Sequence, residues 1–134
     1  MIKRLEKLLN NSYSPYSNFQ VASVVITEDG QEFEGVNVES AAYGVTVCAE
    51  RNAITTAIAA GVEPKTIKEV HVVAKRRTDD SIEEFVTPCG ICRQIIAEQS
   101  DNKATVITHK SNGETREEKI SDLLPGAFLG DSLE

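Results

Sequence analysis

Val21-Ala22-Ser23-Val24-Val25-Ile26-Thr27 is followed at once by Glu28-Asp29-Gly30 and then by the stretch from Gln31 to Val38. The first run is β-branched and reads as a buried strand. The tripeptide is a turn, and the third stretch alternates as a returning strand. An antiparallel hairpin is therefore the centre from which the rest is read. Towards the N-terminus, Asn11 to Asn18 is dense in turn formers and predicts a loop. Before it, Ile2, Leu5, Leu8 and Leu9 recur at helical spacing. Towards the C-terminus, Cys48 to Ala60 predicts a helix stopped at Gly61, and Val70 to Ala74 a third strand. Pro88 opens a helix from Cys89 to about Gln99, since proline is favoured at helix starts. Ala104 to His109 is a fourth strand, Asn112-Gly113 a turn, Thr115 to Ile120 a fifth strand, and Leu123-Leu124-Pro125 a short helical turn. Strands alternating with helices imply a layered α/β domain around one mixed sheet, antiparallel at the hairpin and parallel across the helices.

The chain has 134 residues, 40% of them hydrophobic and 26% charged, which suits a single folded domain over 1–134. No apolar run approaches the ~20 residues of a membrane helix, and Met1-Ile2-Lys3-Arg4-Leu5-Glu6 does not read as a signal peptide. No membrane partner is expected. The net charge is −7, which argues against a nucleic-acid polymer as partner. The densest basic cluster, Lys75-Arg76-Arg77, runs directly into Asp79 and Asp80 and reads as a solvated loop. Three cysteines, two of them spaced Cys-x-x-Cys, make a poor disulfide framework but a plausible metal or redox set, with reducing cytoplasm the expected location.

Chemistry concentrates in Cys48-Ala49-Glu50 and Pro88-Cys89-Gly90-Ile91-Cys92, each at a predicted helix start. Cys89 and Cys92 are three apart and face one side of a helix. Cys48 completes a three-thiolate set if the two helix starts meet. Helix N-termini favour thiolate over thiol, and thiolates select zinc or an iron–sulfur cluster over hard cations. Structural zinc normally takes four protein ligands, whereas catalytic zinc takes three and leaves a place for water. Glu50 is spaced to act on such a water as base and then acid. Cys89 and Cys92 alone could form a redox pair, and Cys48 alone could be a core residue. His71 and His109 read as structural or exposed histidines rather than as a fourth ligand.

Cys48-Ala49-Glu50-Arg51 with Pro88-Cys89-Gly90-Ile91-Cys92-Arg93-Gln94 resembles the small, three-cysteine type of cytidine deaminase. The likeness extends to Tyr13-Ser14-Pro15-Tyr16-Ser17-Asn18-Phe19, Gly35-Val36-Asn37-Val38-Glu39, Ala42-Tyr43-Gly44 and Leu123-Leu124-Pro125-Gly126-Ala127-Phe128. Small departures are Ser40 where asparagine is frequent, Gln20 where proline is, and Ala22-Ser23 where Gly-Ala is. The resemblance implies a three-layer α/β/α sandwich with a mixed five-stranded sheet. It implies one zinc per chain on Cys48, Cys89 and Cys92, and a homotetramer serving pyrimidine salvage.

The reaction implied is hydrolytic deamination of cytidine and 2′-deoxycytidine, with ammonia released. A hydroxide generated at zinc would attack the amine-bearing ring carbon while Glu50 shuttles protons. Phe19 would wall the pyrimidine, Ala49 would join the substrate pocket, and Asn37 and Glu39, expected on one strand face, would hold the ribose hydroxyls. Phe128 would cap the pocket of a neighbouring subunit. Arg51 would offset the charge of the thiolates, with Arg93 a second candidate or a surface salt bridge. The alternatives are a blasticidin-type deaminase of a modified cytosine nucleoside and a non-catalytic zinc-binding module. Residues 129–134 are expected to form a mobile tail.

Overall fold

In the computed structural model, which describes residues 1–133, the chain forms five strands and four α-helices. Helix α1 (Ile2–Leu9) leads to β1 (Phe19–Thr27) and β2 (Glu32–Val36). These are followed by α2 (Ala49–Ala59), β3 (Ile67–Arg76), α3 (Gly90–Gln99), β4 (Thr105–His109), β5 (Thr115–Lys119) and α4 (Ile120–Leu123). The sheet order is β2-β1-β3-β4-β5. Only β3 and β4 run parallel, and the other neighbouring pairs are antiparallel. A hairpin needs only a short turn, whereas the parallel step from β3 to β4 needs a crossover, which α3 supplies.

The alternation of β1 sorts its side chains onto two faces. Ala22 and Val24 join Val73 and Ile82 against Leu5 and Leu9 of α1. Val25, Val70, Val72 and Val106 meet Ala53, Ile54 and Ala57 of α2 and Ile96 and Ala97 of α3. Each fully buried Leu or Ile contributes about 1.5–3 kcal/mol by leaving water. Helix α1 thus covers one face, and α2 with α3 covers the other, giving three layers. The expected fold is the observed one.

Several boundaries differ from the sequence reading. Strand β1 begins at Phe19, because Phe19 and Gln20 already pair with Arg76 and Lys75. That pairing extends β3 through Lys75 and Arg76, which are strand residues rather than a solvated loop, and Ile26 and Thr27 extend its start by pairing with Glu69 and Ile67. Strand β2 stops at Val36, leaving Asn37 and Glu39 beyond it on a segment held by single bridges from Val38 to Tyr13 and Val47. Pro88 stands one residue before the N-cap of α3, not inside the helix. The last helical turn precedes Leu124-Pro125, and a 3₁₀ turn at Tyr43–Val45 had no sequence signal. Leu129 packs against the larger core and residues 131–133 form a 3₁₀ turn. Of the expected tail, Glu134 lies outside the described residues. No helix among the described residues is long and apolar enough to cross a membrane.

Candidate metal and catalytic site

Cys48 is the N-cap of α2 and Cys89 the N-cap of α3, with Cys92 one turn inside α3. The two helices pack side by side on the same face of the sheet, so their N-terminal ends bring the three thiols together. Their sulfurs all lie within 4.8 Å of one another, and Cys48 Sγ is 3.7 Å from Cys89 Sγ. A tetrahedral zinc with Zn–S bonds of about 2.3 Å sets its sulfurs about 3.8 Å apart, so this donor set fits. No other His, Cys, Asp or Glu among the described residues joins the cluster.

The pKa of Cys48 falls to about 6, chiefly through hydrogen bonding from Cys92 and also from Cys89, against the opposing effect of burial; the Arg51 charge adds to the fall. Cys92, as the donor in that pair, is pushed up. Glu50 is 3% exposed, and burial pushes its carboxyl up to about 7, with the charge on Cys48 adding to the rise. A carboxyl balanced between its two forms near neutrality suits a group that must accept a proton and return it.

Arg51 donates from Nη2 to the Thr46 carbonyl at 2.9 Å, while its Nε is buried with no partner. Arg93 forms no salt bridge to a carboxylate among the described residues. Its guanidinium donates to the Pro88 and Leu123 carbonyls and to the Thr87 hydroxyl, tying down the segment that carries Cys89. His71 and His109 are both buried rather than exposed. Alternation along β3 and β4 puts them on the α1 face, away from the thiols, with facing ring nitrogens 2.8 Å apart.

Phe19 is half-buried and lines a cleft of about 530 Å³ with Ala74, Arg76, Asp79, Asp80 and Val86. Neither the three thiols nor Glu50 lines that cleft. Ala49 is fully buried. Asn37 accepts at Oδ1 from the Ser12 hydroxyl and the Val21 N–H, and donates from Nδ2 to the Phe19 carbonyl. Glu39 accepts at Oε1 from the N–H groups of Tyr16 and Ser17 and at Oε2 from the Ser17 hydroxyl. Burial alone would raise its pKa, but these bonds outweigh it and hold the carboxyl below its usual range. Phe128 is 55% exposed, its carbonyl accepting from the Gln94 amide on α3.

Ser12, Ser14 and Arg77 were not singled out as site residues, although they connect to Asn37. No local spacing marks them, because the loop before β1 meets the segment after β3 only through the sheet.

A family model described as the cytidine and deoxycytidylate deaminase zinc-binding region matches residues 1–108. The chain is 38% identical to a cytidine deaminase of Sporosarcina psychrophila, over 99% of this chain and 92% of that protein. It is 35% identical to one from Halalkalibacterium halodurans, over 99% and 95%. The solved cytidine deaminase of Burkholderia pseudomallei superposes with a TM-score of 0.83 at 37% identity, covering 95% of each chain. A more distant relative, a blasticidin-S deaminase of Bacillus cereus, is 32% identical over 78% of this chain and 74% of that protein.

Proposed function

This chain belongs to the cytidine and deoxycytidylate deaminase family, and from that premise we propose how its own residues divide the work of deaminating cytidine and 2′-deoxycytidine. Cys48, Cys89 and Cys92 would hold one zinc ion, which when bound would supply the acidity that lets a water lose its proton near neutral pH. Glu50 accepts a proton from the attacking water at its carboxylate and delivers it to ring nitrogen 3 as the water oxygen bonds to the amine-bearing ring carbon. It then carries the remaining proton of that new hydroxyl to the amino group, whose bond to the carbon breaks as ammonia leaves and the ring carbonyl forms. Burial of Glu50 supports this role, because a dry carboxyl is not bypassed by bulk solvent.

Phe19 walls the base, and Ala49 borders it through the backbone. Asn37 and Glu39 hold the sugar hydroxyls, and a 3′-phosphate would meet the ionised Glu39 as a like charge. Arg51 draws charge from the thiolates. The single observation that carries the reading is the meeting of three thiols and one buried carboxyl at two helix starts. A non-catalytic module would have no use for that carboxyl.

We also propose a homotetramer in which Phe128 caps a neighbour's pocket. The exposure of Tyr43 (86%), Val45 (63%), Ile91 (63%) and Phe128 (55%) supports it. So does an open groove of about 440 Å³ beside Ile91 and Ile95. Three free thiols fit a reducing cytoplasm, and the proposed reaction fits a part in pyrimidine salvage.

The test is loss of cytidine absorbance with the wild type beside Glu50→Gln, each with a zinc assay. The expected result is one zinc per chain in both and a fall of ~10³-fold in turnover for the variant. Comparable turnover in both would remove Glu50 from the mechanism. Turnover confined to modified cytosine nucleosides would favour the blasticidin-type reading.

A further inference from the structure

The orientation of the Asn37 amide is set by the backbone. Val21 N–H can only donate, at 2.9 Å, and the Phe19 carbonyl can only accept, at 2.8 Å, so Oδ1 faces the first and Nδ2 the second. Ser12 Oγ lies 2.5 Å from the same Oδ1. An amide oxygen has no proton, so the single Ser12 hydroxyl proton points at Asn37. The contact of 3.2 Å between Ser12 Oγ and Ser14 Oγ must then take its proton from Ser14. Ser14 in turn accepts from Arg77 Nη2 at 3.1 Å, a nitrogen that can only donate. Every link therefore has one direction, from guanidinium to hydroxyl to hydroxyl to amide.

Both serines are buried, Ser14 completely and Ser12 at 8% exposure, so water does not compete for these bonds. Arg77 is anchored by its own N–H to the Asn18 carbonyl at 2.7 Å. With both lone pairs of Oδ1 occupied, Asn37 can offer a ligand only its second N–H. Glu39 has both lone pairs of Oε1 filled and one site filled on Oε2, so it can only accept. One donor beside one acceptor is the complement of a single free hydroxyl.

We propose that Ser12 and Ser14 are positioning residues that relay the charge of Arg77 to the Asn37 amide, sharpening it as a donor to a sugar hydroxyl. This rests on the reading above that Asn37 and Glu39 face the 3′-hydroxyl. Aligned hydrogen bonds polarise one another by about 10–30% per bond, and a cation at the head adds to this. Accepting at Oδ1 draws electrons from the amide and makes its free N–H more acidic. The relay thus connects Arg77, on the segment after β3, to the group that reads the sugar.

The experiment measures kcat and KM of the zinc-loaded full chain on cytidine and on 3′-deoxycytidine. The enzymes are wild type, Ser12→Ala, Arg77→Ala and the double variant, with thermal melting to confirm folding. Ser12→Ala is expected to raise KM for cytidine ~5- to 10-fold with little change in kcat, while kinetics on 3′-deoxycytidine stay within ~2-fold of wild type. Arg77→Ala, at the exposed end where folding is not at stake, is expected to raise KM ~2- to 3-fold with the same selectivity. Most of its effect should vanish once Ser12 is gone, leaving only what the Arg77 charge does directly at Glu39. Equal losses on both substrates would mean local packing only and overturn the relay, as would full additivity of the two changes. A wild type indifferent to the 3′-hydroxyl would sink the sugar reading itself, and the relay with it.

Discussion

Arg51 leaves one donor, Nε, buried without a partner, which costs about 1–3 kcal/mol unless a charge compensates. A charge is at hand in Cys48, whose pKa the guanidinium helps hold down. Arg51→Gln is expected to keep the fold and its zinc but to lose ~10-fold in turnover, as losses around metal ligands do. Unchanged kinetics at full zinc occupancy would refute that role. The histidine pair gives a second prediction. Burial lowers the pKa of both rings, to about 4 for His109, where the charge on His71 works in the same direction. Glu69, hydrogen-bonded to His71, and Glu32 oppose the fall, and the N-terminal amine reinforces it. Because the folded pKa lies below the unfolded one, the unfolded chain takes up protons first as pH drops. Stability from the pair is therefore fully present above about pH 6.5 and lost towards pH 4. Urea midpoints across that window should flatten in His109→Gln, and a slope equal to wild type would mean that other groups set it. The thiol cluster was legible in the sequence because ligand chemistry constrains residue type and short spacing. The pairing of His71 with His109 was not, because it depends on two strands 38 residues apart lying side by side.

At the scale of elements, the approach of β2 to α2 determines where the metal corner sits. A Cβ built on Gly35 would come within 2.4 Å of the Ala49 carbonyl and 2.5 Å of the Ala53 amide nitrogen. Both are backbone atoms and cannot swing aside, so α2 itself would have to move, and Cys48 and Glu50 with it. Gly35→Ala is expected to cost about 3 kcal/mol or more, at or beyond the upper end for overpacking. A lower melting temperature and weaker zinc retention should appear together. A variant with unchanged melting and full zinc would show that α2 has room to spare. The alanines of α2 serve the same contact, since small side chains let helix and sheet backbones come close. Helix and strand identities followed from apolar periodicity. Strand ends did not, because pairing with a neighbour extended β1 and β3 past their β-branched cores, while β2 gave way to single bridges before Asn37. The anchoring of the Thr87-Pro88 segment by Arg93 likewise needed the carbonyl of Leu123, from a distant turn, to be in place.

On the scale of the whole molecule, Tyr43, Val45, Ile91 and Phe128 stand in solvent, large apolar side chains of the kind an interface covers. Light scattering is expected to give a mass near four times 14.6 kDa. Ile91→Glu should lower that mass and, by uncovering the pocket, the activity with it. A fully active monomer would remove Phe128 from the site. The edges of the sheet carry charge instead: Arg116, Glu117 and Glu118 on β5, and Glu32 and Glu34 on β2, bonded to Arg4 of α1. Such edges discourage strand-to-strand association and leave the helical face as the one suited to assembly. The amino-acid sequence by itself determined the layered α/β class, the five strands, the three thiols and the carboxyl two residues after the first of them. Hydrophobic period and ligand chemistry are local properties, written into residue types a few positions apart. Only the tertiary structure decided that the two helix starts meet, that the histidines turn away to the opposite face, and that Arg77 reaches Asn37 through two buried serines. Those relations depend on strand order and on the packing of distant segments, and no short stretch of chain contains them.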